Sequence, residues 1–178
     1  YQGSNYGYVS GGAKVLGAHI NHIEKFSLVT ASNATDVGDI TTARPVGSNY
    51  SSAVHGFLAG GYHSNVIERW SLLSDGNGVD VANLADGKDY CQGTHSETNG
   101  YTCGGGAPIS DDIQRFNFAS EADAVNNADL TTSGRGMGHQ ATATYGHMTG
   151  GQPGFSEVIH RFAFDSDSDA TDWGNLSL

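Results

Sequence analysis

Apolar residues occur along this chain in short alternating stretches, each ending on glycine or on a polar cluster. The segment HGFLAGGYHSNVIERWSL, from His55 to Leu72, is representative: FLA and VIERWSL flank a Gly-Gly pair. Alternation with period two, punctuated by Gly, Asn, Asp and Ser, predicts short β-strands joined by turns. The segment also predicts its own repetition. Gly-Gly pairs stand at Gly11-Gly12, Gly60-Gly61, Gly104-Gly105 and Gly150-Gly151, so their second members step by 49, 44 and 46 residues. Before them come GYVS, GFLA, GYTC and GHMT.

A second element follows each pair: Ile, any residue, a basic residue and an aromatic. The basic positions are Lys25, Arg69, Arg115 and Arg161, and the aromatics are Phe26, Trp70, Phe116 and Phe162. A third element begins ten residues after each aromatic, at Asp36, Asp80, Asn126 and Asp172. Three copies then carry a further basic residue, Arg44, Lys88 and Arg135. The repeats run approximately over 1–41, 42–85, 86–131 and 132–178, within one domain or segment spanning 1–178. Each reads as four short strands, the second ending on Gly-Gly and the third carrying the aromatic.

Within the third strand the aromatic and the residue two further on share one face, and the Ile lies on the other. Apolar groups on both faces predict sheets sandwiched between neighbours, since a sheet with one wet face alternates more cleanly. The 26 glycines and 15% charged residues suit many turns. A net charge of −11 argues against nucleic acid as a partner, because phosphate binding needs clustered Lys and Arg. No apolar run is long enough to enter a bilayer as a helix, so no membrane insertion is expected.

The Gly-Gly strand end, the third-strand aromatic, the fourth strand and the basic residue after it together resemble the kelch repeat of galactose-oxidase-like β-propellers. The likeness covers nearly the whole chain. It departs from the family where a Tyr and a Trp usually follow the glycines at set distances; here one aromatic stands in the third strand, and only Trp173 lies in a fourth. The wording NATDVGDIT, HGFLAGG and VIERW further resembles repeats in structural proteins, tail fibres included, of phages that infect marine bacteria. The resemblance implies an all-β fold: a β-propeller of four-stranded antiparallel blades, about four kelch-like repeats, forming part of a larger or multi-chain propeller. Since an open arc of four would expose two apolar ends, the alternatives are a small ring, copies that complete one another, or a longer protein containing this piece. The last is the first expectation.

Seven of the eight basic residues sit at repeat positions, which predicts ties between strands or blades. Asp165, Asp167, Asp169 and Asp172 suggest a calcium loop, but an EF-hand requires Gly and Glu where Ala170 and Leu176 stand. Asx turns are the simpler reading, and no cofactor is expected. Lys14, His19, His22, Tyr62 and His63 lie in the unequal loops after the glycines and are the candidate binding residues. Cys91 and Cys103 flank a hairpin turn and form a cross-strand disulfide if the register allows it, or else remain buried thiols. No catalytic constellation is read. The expected function is a non-enzymatic structural or binding module of a virion or extracellular setting, a tail fibre, spike or decoration. Its partners are other virion subunits, a second copy, or a host-surface glycan. A secreted carbohydrate-active or oxidase-type propeller enzyme and a kelch adaptor are the alternatives.

Overall fold

The computed structural model describes residues 5–15, 17–106, 108–154 and 156–177. Among them there is no helix. Fifteen strands form four antiparallel sheets, each a simple meander. The first sheet holds β1 (Tyr6–Ser10), β2 (His22–Ser27) and β3 (Thr35–Asp39). The second holds β4 (Ser48–Ser51), β5 (His55–Ala59), β6 (Val66–Ser71) and β7 (Val79–Asn83). The third comprises β8 (Gln92–His95), β9 (Asn99–Cys103), β10 (Asp112–Asn117) and β11 (Val125–Asp129). The fourth comprises β12 (Gly138–Ala141), β13 (Tyr145–Thr149), β14 (Val158–Ala163) and β15 (Thr171–Asn175). The short hairpins follow from the sequence: a Ser or Thr hydroxyl at the turn takes the N–H groups two and three residues on, as Ser52 does for Val54 and His55.

The Gly-Gly pair ends the second strand of each four-stranded sheet and the first strand, β1, of the three-stranded one. Gly60 and Gly61 have φ of 67° and 93°, and the other three pairs are equally left-handed. Only glycine takes this conformation without a steric penalty. Space forbids a side chain as well, since a Cβ on Gly61 would lie 2.5 Å from the Pro45 carbonyl oxygen. The glycine that opens the second strand has a different reason. Gly56 pairs with Trp70 across the ladder, and the indole lies over its bare backbone, 2.8 Å from where a Cβ would be.

Sheets stack in sequence order, and an apolar cluster fills each junction. Tyr8, Ile23 and Ile40 of the first sheet meet Leu58 and Trp70 of the second. Phe57, Ile67 and Leu84 of the second meet Phe116 of the third. Tyr101, Ile113 and Leu130 of the third meet Met148 and Phe162 of the fourth. Each sheet therefore has an entry face carrying the third-strand aromatic and an exit face carrying the Ile. Burying a side chain such as Trp70 or Phe116 stabilises the stack by about 2–3 kcal/mol. The sheets approach most closely at their first strands, with β8 lying between β4 and β12.

Candidate functional site

Much of the repeated polar chemistry belongs to the junctions. The residue between Ile and the basic position, read from sequence as unconstrained, is Glu24, Glu68, Gln114 or His160. The last three are buried. Each accepts a backbone N–H from the preceding sheet: Thr41 to Glu68 at 2.6 Å, Ala85 to Gln114 at 2.9 Å, Thr131 to His160 Nδ1 at 3.3 Å. A second tie runs from the end of each fourth strand. The N–H groups of Asp39, Asn83 and Asp129 donate to the side chains of Asn77, Asp123 and Asp169 in the next sheet. On the exit face Lys25 reaches Asp75, Arg69 reaches Glu121, and Arg115 reaches Asp167. These three pairs are half-exposed and individually weak.

Arg44 and Glu68 form the fully buried pair, with side-chain exposures of 2% and 0%. Lys88 occupies the next copy of the Arg44 position and bonds Asp112 at 2.7 Å. Burial pushes the Asp112 carboxyl up, but hydrogen bonds from Lys88 and Ser110 outweigh it and hold the group below the ordinary range. The third copy departs from the sequence reading. The carbonyls of Arg44 and Lys88 accept the N–H of the neighbouring Gly-Gly pair, and in the third junction that acceptor is Gly134, not Arg135. The framework position has lost its cation, and the facing residue is His160. Burial lowers the pKa of this imidazole, which favours its neutral form.

Arg135 is thereby freed for the molecule's rim, where the loops after the second strands meet the segments leading into the next sheets. His19 packs edge-on against Tyr62, ring centroids 4.2 Å apart. Tyr62 and His63 both adopt left-handed backbone, φ 51° and 62°, at a cost of about 1 kcal/mol or more each. Asp89 holds this turn: one carboxylate oxygen takes the His63 N–H at 2.6 Å and the other lies 3.2 Å from its Nδ1. Tyr90 follows, also left-handed, with the Arg135 guanidinium over its ring at 5.6 Å. Tyr62 is 58% exposed and Tyr90 49%. The rim thus presents two tyrosine rings and two histidines, with an arginine beside them, on a backbone pinned from below. Val46 and Gly136 share the left-handed geometry of Tyr90. That turn is part of the repeat, and only its side chain varies.

A groove follows the first strands. A cavity of about 430 Å³ is lined by Ser10, Asn49, Thr94, His95 and His139 among others, so all four sheets contribute. It continues past His95 and Ala141 into a cleft with Ser51, Ser52, Ser96, Glu97 and Thr142. Desolvation lowers the pKa of both His95 and His139, which favours neutral imidazoles beside hydroxyl and amide groups.

Of the residues singled out from sequence, His19, Tyr62 and His63 come together on the rim. Lys14 lies exposed in the tight turn closed by its own N–H to the Ala18 carbonyl. His22 opens β2, 3.7 Å from Asp36 of its own sheet. The calcium reading fails on geometry. Asp167 points to Arg115, Asp169 caps Asp129, and Asp172 accepts the Gly174 N–H, so their oxygens diverge. The disulfide reading fails on register. His95 pairs with Gly100 and Gln92 with Cys103, one residue away from the pairing that would align the thiols. A one-residue shift places them on opposite faces. Cys91 turns toward the Ala59 carbonyl of the second sheet, and Cys103 packs against the fourth; both are free thiols. Burial raises both pKa values. Sequence reasoning missed Asp89, Tyr90 and the buried ties Glu68, Gln114 and His160. The signal for the ties was present: a polar residue in every copy, two positions before the aromatic and so on the same apolar face.

No protein-family model matches the chain, and no curated protein matches it.

Proposed function

We propose that the four sheets are blades of a kelch-like β-propeller, and that the chain is a non-enzymatic attachment module of a virion or extracellular setting. Its ligand is a surface glycan held at the rim. The observation that carries this reading is the pair of exposed, backbone-pinned tyrosines, Tyr62 and Tyr90, with His63 and Arg135 between and beside them. Flat aromatic rings bind the apolar faces of sugars, and the histidines and arginine supply hydrogen-bonding groups at their edges. A rim fixed in advance loses little conformational freedom on binding.

Glycan-array screening of the whole chain, followed by titration of the best ligand, tests the proposal. Tyr62→Ala and Tyr90→Ala should each weaken binding by about ten-fold or more while leaving the melting temperature near the wild type. Absence of glycan binding, or variants that bind like the wild type, overturns it. Turnover of a bound sugar would favour the carbohydrate-active alternative, and saturable capture of a defined protein at the rim would favour the adaptor.

A further inference from the structure

The two terminal sheets carry half-junctions that match one another. At each internal junction the entering sheet contributes an acceptor between Ile and the basic residue. In the first sheet that acceptor is Glu24, on the entry face with Phe26, and its carboxylate makes no hydrogen bond or ion pair among the described residues. The donors at the three junctions are the N–H groups of Thr41, Ala85 and Thr131. The next position in that series, 46 residues on, is Ser177 in the fourth sheet's exit segment. The second tie is duplicated in the same way: Asn33 occupies the position of Asn77, Asp123 and Asp169, and Asn175 that of Asp39, Asn83 and Asp129.

The apolar surface agrees. Ile40, Leu84 and Leu130 are buried at their junctions, whereas Leu176 at the same repeat position is 40% exposed. Leu72 packs into the first junction cluster, whereas Leu28, its counterpart on the first sheet, is 44% exposed. Among the described residues, the principal strand contacts between sheets join consecutive sheets.

A mismatch in charge is compensated. Internal exit-face cations find Asp75, Glu121 or Asp167 on the next sheet, but the first sheet has Ala31 at that position. Arg161, which would face it, lies instead over the Trp173 ring of its own sheet at 3.3 Å. A generic further repeat would offer an acid there. The first sheet of this chain does not, and the fourth sheet does not need one.

We infer that the exit face of the fourth sheet docks onto the entry face of the first sheet of a second copy of this chain, in a head-to-tail junction that reuses the polar ties of the internal ones. The interface is heterologous, with two different surfaces in contact. This assembly is independent of what the rim binds, so the glycan assay and the association assay fail separately.

Sedimentation velocity and native mass spectrometry on the whole chain test it, with Glu24→Arg altering one surface and Leu176→Asp the other. The wild type should associate in a concentration-dependent manner, and each variant alone should associate about ten-fold or more weakly. Leu176 is 40% exposed and Glu24 partly exposed in the single chain, and circular dichroism should show both variants folded. An equimolar mixture of the two should recover association, because each retains the surface the other has lost. A wild type that stays monomeric at every soluble concentration, variants that associate like the wild type, or a mixture with no recovery would each overturn the inference.

Discussion

The Arg44–Glu68 pair provides the sharpest test of the junction physics. Its side chains are almost fully excluded from solvent, and Arg44 also donates to the Gly60 and Val66 carbonyls. Arg44→Met leaves the Glu68 carboxylate buried with the Thr41 N–H as its remaining donor. Stranding one partner of a buried pair costs about 3–5 kcal/mol. For a chain of this size that corresponds to a fall in melting temperature of roughly 6–20 °C. The double variant Arg44→Met, Glu68→Gln removes the stranded charge and keeps an amide oxygen for Thr41. Gln114 already serves Ala85 in this way, and the third junction has no cation at the Gly134 position. The double variant should therefore recover most of the loss, to within about 1–1.5 kcal/mol of the wild type. Urea and thermal unfolding of the four proteins in the cycle give the coupling directly. An Arg44→Met variant within about 1 kcal/mol of the wild type, or a double variant no better than the single, would refute the assignment of this pair as a desolvated junction tie.

Other consequences are measured the same way. Arg115→Met removes an exit-face pair with Asp167 that is open to solvent, and should change stability by less than about 1 kcal/mol, more at low salt than at high. His160 has a folded pKa lowered from 6.5 by burial, so its contribution is complete above that value and declines as pH falls through the folded pKa. His160→Gln should keep an acceptor for Thr131 and flatten the dependence of melting temperature on pH in that window; an unchanged profile would remove His160 as a source of acid sensitivity. Cys91 and Cys103, buried and free, should resist a thiol reagent in the folded protein and react as two thiols after denaturation. Any effect of calcium or chelator on the melting temperature should be the same in Asp167→Asn as in the wild type, because Asp167, Asp169 and Asp172 go to Arg115, the Asp129 N–H and the Gly174 N–H and do not share an ion.

The repeat, the strands and the glycine turns were legible because their causes are local. Period-two alternation states which residues share a face, and a left-handed turn such as Gly60-Gly61 demands glycine whatever surrounds it. Apolar residues on both faces also foretold the stacking, in which the second and third sheets lie between neighbours. What the polar residues do depends on contacts between residues far apart in the chain. The position between Ile and the basic residue looked unconstrained because Glu, Gln and His share no chemistry beyond accepting a hydrogen bond. Only the stacking of sheets shows that each meets an N–H from the sheet before.

The rim was half visible. His19, Tyr62 and His63 stood out as unequal loops, while Asp89 and Tyr90 were concealed among residues leading into a strand. Arg135 counted as a framework cation until the Gly134 carbonyl took that place. The cysteines mark the same boundary: composition permitted a bridge, and one residue of register decided against it. The unit, its strands and its turns follow from the order of residues alone, because backbone conformation and side-chain alternation are set within a few residues. Tertiary structure decided which polar groups are ties and which are free to bind, because burial and partnership are properties of how the units stack.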